Sequence, residues 1–308
     1  MESFEGKLAV VTGAGSGMGR ELVRQLSAAG CRVAGCDVRA SSVEAGGRVT
    51  GHVCDVSDEA QVLRFRDEVV DQHGADHVDL VFNNAGIGGG GSLFTDSRES
   101  WERTFAVDFW GVYYCTRAFL PLLVKSEEGV LVNTSSVNGF WASLGPGIPH
   151  TAYSTAKFAV KGFTEALIED LRTNAPHVRV AVVMPGHIGT DIVRNSRVVL
   201  GGGGFEDMTP AEVKASRAAM ARRGFPVDTA TDDDVRKLAE MGADMFRDSA
   251  PLTAAGAATI ILDAVLAGSW RILVGDDAER LDAAVRADPE AAYDHTTVGL
   301  STLPVGDS

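Results

Sequence analysis

A tyrosine and a lysine four positions apart, in the stretch Y-S-T-A-K at 153–157, could together move a proton. On a helix, positions i and i+4 are neighbours, with Cβ atoms roughly 5–6 Å apart. A phenol has an ordinary pKa of about 10, and a nearby ammonium group lowers that pKa because it favours the phenolate. Tyr153 and Lys157 could therefore form an acid/base pair, or they could be two unrelated surface side chains on one helix face.

A glycine-rich stretch follows the first apolar run of the sequence. The run K-L-A-V-V-T (7–12) leads into T-G-A-G-S-G-M-G (12–19), where a helical pattern begins. Glycines permit a tight turn, and a helix N-terminus offers free N–H groups and a positive dipole end to an anion. A glycine-rich turn without a ligand is the alternative, but this junction of strand and helix favours a pyrophosphate site. Its candidate residues are Gly13, Ser16, Gly17, Met18 and Gly19.

An acidic residue, Asp37, ends the second apolar run. A carboxylate at this position can accept hydrogen bonds from both hydroxyls of an adenosine ribose. The same charge would repel a 2′-phosphate, and Ser16 in the glycine-rich stretch is not basic. These observations favour NAD over NADP as the cofactor, although Arg39 is close enough in sequence to contact a 2′-phosphate.

Apolar runs of strand length alternate with longer helical patterns along most of the chain. The runs are rich in β-branched residues and show no polar alternation, which is typical of strands buried on both faces of a parallel sheet. This order predicts an α/β fold: a doubly wound (Rossmann) parallel sheet of about seven strands with helices on both faces. The predicted strands are 7–12, 32–37, 49–55, 78–84, 130–136, 178–185 and 271–274, and the main predicted helices end near 29, 73, 124 and 175.

The regular alternation is interrupted at about 190–250. This stretch contains G-G-G-G (201–204), many charges and short helical patterns, and we expect it to form a small helical lid insertion over the carboxyl edge of the sheet. Its methionines and phenylalanines suit either a lid that adapts to an apolar substrate or ordinary packing. No linker divides the sequence, so 1–308 is predicted to be one dinucleotide-binding and catalytic domain with a surface tail at about 288–308.

Composition narrows the functional classes. The net charge is −14 and no basic run is present, whereas a nucleic-acid site needs clustered basic residues. No apolar run reaches about 18 residues, so we expect no membrane span. The first residues, M-E-S-F-E-G-K, do not read as a signal peptide, and the four cysteines follow no metal-site spacing. A cytoplasmic protein without a metal, a membrane or a nucleic acid is expected.

Five motifs occur in a fixed order along the chain. They are T-G-x-x-x-G-x-G (12–19), N-N-A-G (83–86), S-S (135–136), Y-x-x-x-K (153–157) and P-G (185–186). With these motifs the chain resembles the single-domain short-chain dehydrogenase/reductases over roughly 5–275. The resemblance favours the acid/base interpretation of Tyr153 and Lys157 over the surface interpretation.

The resemblance implies a role for each matching residue. Ser136 would hydrogen-bond the substrate oxygen. Tyr153 would be the acid/base and would also contact the cofactor, and Lys157 would bind the nicotinamide ribose and lower the tyrosine pKa. The other implied cofactor contacts are Asp55 and Val56 to the adenine, Asn84, Ala85 and Gly86 along the cofactor, and Pro185, Gly186, Ile188 and Thr190 to the nicotinamide carboxamide.

Two features depart from the family pattern. Asp108, in V-D-F-W-G (107–111), stands where the family usually has an asparagine that links the lysine to solvent through a water. An ionised carboxylate donates no hydrogen bond. Asp108 therefore either opposes the effect of Lys157 on Tyr153, or it replaces the asparagine without functional effect and the water is retained. The segment between Ser136 and Tyr153 is longer than in the family. We expect its Phe140, Trp141 and Leu144 to form an apolar pocket wall, and His150 and His187 could touch substrate or could simply pack.

The leading interpretation is an NAD-dependent short-chain alcohol dehydrogenase/ketone reductase acting on an apolar, bulky secondary alcohol or its ketone. The cofactor would supply the hydride chemistry, and Tyr153 would manage the alcohol proton. The alternatives are a non-catalytic NAD(H)-binding sensor or regulator on the same fold, and a sugar-nucleotide epimerase or dehydratase. The resemblance also implies a homodimer or homotetramer paired through the helices near 99–124 and 151–175.

Overall fold

A seven-stranded parallel sheet forms the centre of the protein, in a computed structural model that describes residues 1–39, 42–145 and 147–294. The strand order is β3-β2-β1-β4-β5-β6-β9. A separate two-stranded sheet joins β7 to β8. The strands are β1 (Leu8–Thr12), β2 (Arg32–Asp37), β3 (Val49–Val53), β4 (Leu80–Asn83), β5 (Val130–Thr134), β6 (Arg179–Pro185), β7 (Ile188–Gly189), β8 (Leu252–Thr253) and β9 (Arg271–Val274).

The predicted Rossmann sheet is confirmed. Every pair of neighbouring strands is parallel, and all residues of β1, β4 and β5 are buried. The run of β-branched side chains is explained because both faces of the sheet are covered by helices. The sequence order reverses between β1 and β4, and in open α/β sheets ligands bind at such a point, outside the carboxyl ends of the strands.

Ten α-helices surround the sheets in the described part of the chain. Contacts with buried strand residues place α1 and α9 on one face, and α2, α4 and α5 on the other. The helices are α1 (Gly17–Ala28), α2 (Glu59–His73), α3 (Arg98–Phe105), α4 (Gly111–Leu123), α5 (Thr151–Asn174), α6 (Ile192–Val199), α7 (Pro210–Arg222), α8 (Asp232–Asp248), α9 (Ala254–Leu266) and α10 (Asp276–Ala287).

A π-helical turn, Ala106–Trp110, lies between α3 and α4, where sequence analysis predicted one continuous helix. A π turn accommodates an extra residue and is frequent at functional sites. At the centre of this turn Asp108 is completely buried, while Trp110 is 41% exposed. The turn therefore directs one carboxylate towards the interior of the protein.

The stretch predicted to form a lid contains α6, α7 and α8. Five buried residues form a small core of this stretch, and both α7 and α8 begin with a threonine capping box, at Thr209 and Thr231. Met208 belongs to that core, whereas Met241 and Met245 are exposed. The core residues are Phe205, Met208, Val213, Val235 and Ala243.

The segment that follows α10 begins as packed structure. Residues 291–293 form a 3-10 turn in which Ala292 is buried, and the Trp141 indole N–H donates to the Ala292 carbonyl at 2.5 Å. Of the predicted surface tail, residues 295–308 lie outside the described residues. The Trp141 contact also corrects a prediction: this side chain packs with α10 in the core and does not form a pocket wall.

None of the helices in the described ranges is long and apolar enough to cross a membrane. The four cysteines are buried and free. Within the same ranges, no three acidic, histidine or cysteine side chains are grouped so that they could hold a metal ion.

Candidate active site

Hydrogen bonds between side chains and backbone join the end of β1 to the residues that follow β4, where the strand order reverses. The Thr12 hydroxyl accepts from the N–H groups of Asn84 and Ala85, both at 3.0 Å, and the Asn84 side chain donates to the Thr12 carbonyl at 3.0 Å. The N-N-A-G segment is thereby fixed beside the glycine-rich loop, so two of the predicted motifs share one edge of the sheet.

The glycine-rich loop is packed so closely that two of its glycines cannot be replaced. A Cβ on Gly13, where φ is +64°, would lie 2.9 Å from the Ala85 Cα. A Cβ on Gly19 would lie 2.1 Å from the Gly13 carbonyl oxygen. Gly19 therefore shapes the loop and does not line the cavity beside it.

The N-terminus of α1 suits a bound anion. Ser16 is the N-cap residue but makes no side-chain cap hydrogen bond, and the first turn carries no acidic residue. Free N–H groups and the positive dipole end of the helix are therefore left for a ligand such as a pyrophosphate.

A cavity of about 410 Å³ runs along this edge. Eleven of the predicted cofactor residues line it: Gly13, Ser16, Gly17, Met18, Asp37, Asp55, Val56, Asn84, Ala85, Gly86 and Thr190. Sequence reasoning missed other lining residues, namely Val38, Cys54, Ile87, Arg103, Val107, Ile192, Asn195, Val198 and Val199.

Helix α6 contacts both walls of the cavity through adjacent residues. The Asn195 side chain donates to the Ser16 hydroxyl at 3.0 Å, and the Gly88 N–H donates to the Ser196 hydroxyl at 2.7 Å. The first helix of the stretch predicted to be a lid therefore contacts both the glycine-rich loop and the segment that follows the N-N-A-G motif. Asn195 lies shortly after the P-G motif in the sequence, and this position is the signal that could have identified it.

Asp37 ties β2 to the glycine-rich loop. Its carboxylate accepts from the Gly15 N–H at 3.1 Å and from the Arg39 N–H at 3.4 Å. A carboxylate therefore lines the end of the cavity, where the sequence predicted an acceptor for the ribose hydroxyls. Arg39 also lines the cavity.

The proton-transfer candidates lie together at the carboxyl edge of β5. Lys157 Nζ lies 5.4 Å from the centre of the Tyr153 ring and donates to the Thr134 carbonyl at 3.1 Å. The Ser136 side chain lies close enough to Tyr153 to lower its pKa, and its hydroxyl accepts from the Asn138 N–H at 3.1 Å. The structure thus brings Ser136, Tyr153 and Lys157 together, as sequence analysis predicted.

The pKa of Tyr153 is nevertheless raised above the ordinary value of a phenol. Burial is the largest cause, and the negative charge of Asp108 acts in the same direction. Lys157 lowers the pKa, as predicted, and Ser136 lowers it as well, but together they do not outweigh burial. In the protein alone, therefore, Tyr153 is a protonated phenol at neutral pH.

Asp108 is the nearest acidic neighbour of Lys157. Its Oδ1 lies 3.5 Å from Lys157 Nζ and accepts from the Ile87 N–H at 2.9 Å. Its Oδ2 is buried without a hydrogen-bond partner among the described residues. Burial raises the pKa of Asp108 to about 6, although Lys157 and the Ile87 N–H lower it. A Cβ on Gly86 would lie 2.7 Å from Oδ1, so only glycine fits beside this pair.

Three of the predicted nicotinamide contacts do not line the cavity: Pro185, Gly186 and Ile188. Gly186 lies against Asp277 of α10, whose oxygens would be 2.3 Å from an added Cβ. The Asp277 carboxylate also accepts from the His187 N–H at 2.7 Å. A C-terminal helix therefore fixes the P-G turn, which the sequence alone did not indicate.

The two histidines near the site have different surroundings. The His150 ring lies 4.6 Å from the Tyr153 ring, and burial lowers the pKa of His150 to about 4, so it is neutral at physiological pH. The His187 ring lies 4.4 Å from the Phe246 ring, tilted by 42°, and hydrogen-bonds the Phe246 carbonyl at 2.6 Å. His187 therefore anchors α8, while His150 covers the phenol.

The loop, the free helix N-terminus and Asp37 at the end of the cavity fit a dinucleotide, and a phenol, an ammonium and a hydroxyl lie at the same sheet edge. Together they define the class of dinucleotide-dependent oxidoreductases.

Sequence comparison gives the family. A profile of the short chain dehydrogenase family matches residues 7–199, and the chain belongs to that family.

Individual relatives agree with this assignment. The chain is 40% identical, over 71% of its length and 79% of the relative, to SadH of Mycobacterium tuberculosis, which is named as a candidate oxidoreductase. It is 33% identical, over 71% of its length and 88% of the relative, to meso-2,3-butanediol dehydrogenase of Serratia marcescens. A Burkholderia phymatum short chain dehydrogenase/reductase in complex with NAD has a TM-score of 0.75 and 28% identity, covering 94% of this chain and 96% of that one. Another solved structure that shares the fold is in complex with NADP, so the neighbours bind either dinucleotide.

Proposed function

We propose that the protein is an NAD-dependent dehydrogenase that interconverts an apolar secondary alcohol and its ketone. The observation that carries this proposal is the position of Lys157 Nζ, 5.4 Å from the Tyr153 ring, with the Ser136 side chain close to the same tyrosine. A non-catalytic dinucleotide sensor would not need such a group. The name of the butanediol dehydrogenase relative supports a secondary alcohol as substrate.

Each residue has a chemical task in this reaction. The bound nicotinamide would accept the hydride that leaves the alcohol carbon. Tyr153 would take the hydroxyl proton during oxidation and return it to the ketone oxygen during reduction. Ser136 would hydrogen-bond that oxygen as charge develops on it. Lys157 would favour the phenolate form of Tyr153 because its positive charge stabilises the phenolate.

We propose the preference for NAD over NADP on the basis of the Asp37 carboxylate, which lines the cavity. Replacing Asp37 by serine should lower the ratio of kcat/KM for NAD to kcat/KM for NADP by ~10-fold or more, because like charges in close contact cost several kcal/mol. Loss of the Gly15 hydrogen bond should also weaken NAD binding. The measurement is steady-state kinetics with both cofactors, with Asp67→Ser on the exposed side of α2 as a control for net charge. An unchanged ratio would contradict the assignment of cofactor preference to Asp37.

The test of the activity is a screen of secondary alcohols with NAD and of ketones with NADH, followed by the absorbance of the reduced nicotinamide. We expect reduction of NAD with apolar secondary alcohols. Tight NAD binding without turnover in either direction would favour the alternative, a dinucleotide-binding sensor.

We further propose that the protein forms a homodimer or homotetramer. Trp110 and Phe158 are 41% and 42% exposed, and the Trp110 ring lies in a group of aromatic contacts with Tyr113 and Tyr114. Light scattering should give a multiple of the 32.4 kDa subunit mass, and a Phe158→Glu variant should dissociate because it introduces charge into the apolar surface. A monomeric wild type at micromolar concentration would overturn this proposal.

A further inference from the structure

Arg103 of α3 reaches the end of the cavity that Asp37 and Asp55 line, although no sequence motif singled it out. Its Nη2 donates to Asp55 Oδ2 at 2.6 Å, and its Nη1 donates to the Ser57 hydroxyl. Both Arg103 and Asp55 line the cavity, with side chains 32% and 25% exposed. The guanidinium therefore bridges two residues that follow β3 and is only partly accessible to solvent.

These contacts fix the orientation of the Asp55 carboxylate. Its Oδ1 accepts from the Ser57 N–H at 3.0 Å and from the Ser57 hydroxyl at 2.7 Å, while Oδ2 accepts from Arg103. The backbone N–H of Asp55 donates to the Gln61 side chain at 3.1 Å. Because each carboxylate oxygen has about two acceptor sites, Oδ2 retains capacity for one further donor. Burial would raise the pKa of Asp55, but the hydrogen bonds from Arg103 and Ser57 lower it, so the carboxylate is ionised at neutral pH.

The charges at this end of the cavity are balanced. Asp37 and Asp55 are acidic, and Arg39 and Arg103 are basic. Arg103 makes a charge-assisted pair with Asp55, so its own charge is directed to the carboxylate and not to a ligand phosphate. The feature that a ligand would meet is an oriented, ionised acceptor.

We infer that Arg103 is a specificity-determining positioning residue, which holds Asp55 as an acceptor for a purine that carries an exocyclic amino group. This inference rests on the proposed use of NAD. Adenine has an amino donor at C6, whereas hypoxanthine has a carbonyl oxygen there, and that oxygen would face the carboxylate with no proton between them. The site should thus discriminate between the two purines through Asp55, with Arg103 acting through it.

The test is the ratio of the dissociation constants of NAD and its hypoxanthine analogue, measured by calorimetry on the full-length protein. Wild type should bind NAD about ten-fold or more tightly than the analogue, the order expected for one hydrogen bond to a charged group. In Arg103→Met the ratio should fall below about three-fold. Arg103→Lys keeps the charge but cannot bridge Asp55 and Ser57, so it should give an intermediate ratio. This variant replaces Arg103→Met in the test if the methionine variant does not fold. Arg98→Met removes an exposed arginine from the same helix and should leave the ratio unchanged.

The ratio of the two dissociation constants distinguishes a positioning role of Arg103 from a purely structural one. If Arg103 only stabilises the fold, its replacement will weaken both dinucleotides equally, and that outcome overturns the inference. Equal binding of the two dinucleotides by wild type would also overturn it. Failure of wild type to bind either dinucleotide would overturn the proposed cofactor itself, and is therefore distinguishable from failure of the role of Arg103.

Discussion

Replacement of Tyr153 by phenylalanine should lower the rate of alcohol oxidation by about 10²–10⁴-fold, the contribution expected of a positioned acid/base group. The substitution removes one hydroxyl and leaves the ring in contact with His150 and Lys157. No other phenol is placed beside Ser136 and Lys157 in the described part of the chain, so water would have to accept the proton. The measurement is kcat for the best alcohol found in the screen, at saturating NAD.

Cofactor binding provides the control for Tyr153→Phe. The dissociation constant of NAD should change little, since the cavity beside the glycine-rich loop is not lined by Tyr153. Tyr113→Phe, the same change in helix α4, should retain wild-type activity. A Tyr153→Phe enzyme with more than a tenth of wild-type kcat would show that another group transfers the proton.

The charges of Lys157 and Asp108 should move the pH dependence of oxidation in opposite directions. Rate should rise with pH as Tyr153 loses its proton, so any change in the tyrosine pKa shifts the profile. Lys157 lowers that pKa and Asp108 raises it. Lys157→Met should therefore shift the profile to higher pH, by about 1–3 units for a charge at this distance, which lowers the rate at neutral pH by about 10–1000-fold. Asp108→Asn should shift it to lower pH.

The ionisation of Asp108 sets the pH above which this residue raises the pKa of Tyr153. Its pKa is raised to about 6, so it is largely neutral below that pH and opposes Lys157 only above it. Wild type and Asp108→Asn should accordingly differ most above pH 6. The profiles of kcat/KM against pH test this, with Lys161→Met, one helical turn along α5, as the matched control. Identical profiles for wild type and Asp108→Asn would mean that aspartate replaces the family's asparagine neutrally.

The order of motifs in the sequence was sufficient to predict the fold and the main chemical groups. Buried β-branched runs alternate with helices, and such runs become parallel strands because both of their faces must be covered. Once the strands are parallel, their carboxyl ends share one edge of the sheet. Asp37, Asn84 and Ser136 each lie at or directly after such an end, so their convergence follows from the chain order alone.

The net electrostatics of the site depended on tertiary packing. The i, i+4 spacing predicted that Lys157 would lower the pKa of Tyr153, and it does, but burial of the tyrosine has the larger effect. Burial is a property of everything that surrounds a side chain, including His150 and the π-helical turn that carries Asp108. A spacing rule describes one pair of residues and cannot sum these contributions.

Contacts between distant segments were likewise decided only by the folded chain. Trp141 was predicted to face the substrate but packs with α10, and Asp277 of that helix fixes the P-G turn. Arg103 meets Asp55 across 48 positions of sequence. Sequence by itself determined which chemical groups reach the sheet edge, because strand order and helix periodicity are local properties. Only the tertiary structure decided which side chains hold those groups in place, because such partners come from segments whose separation in sequence carries no local pattern.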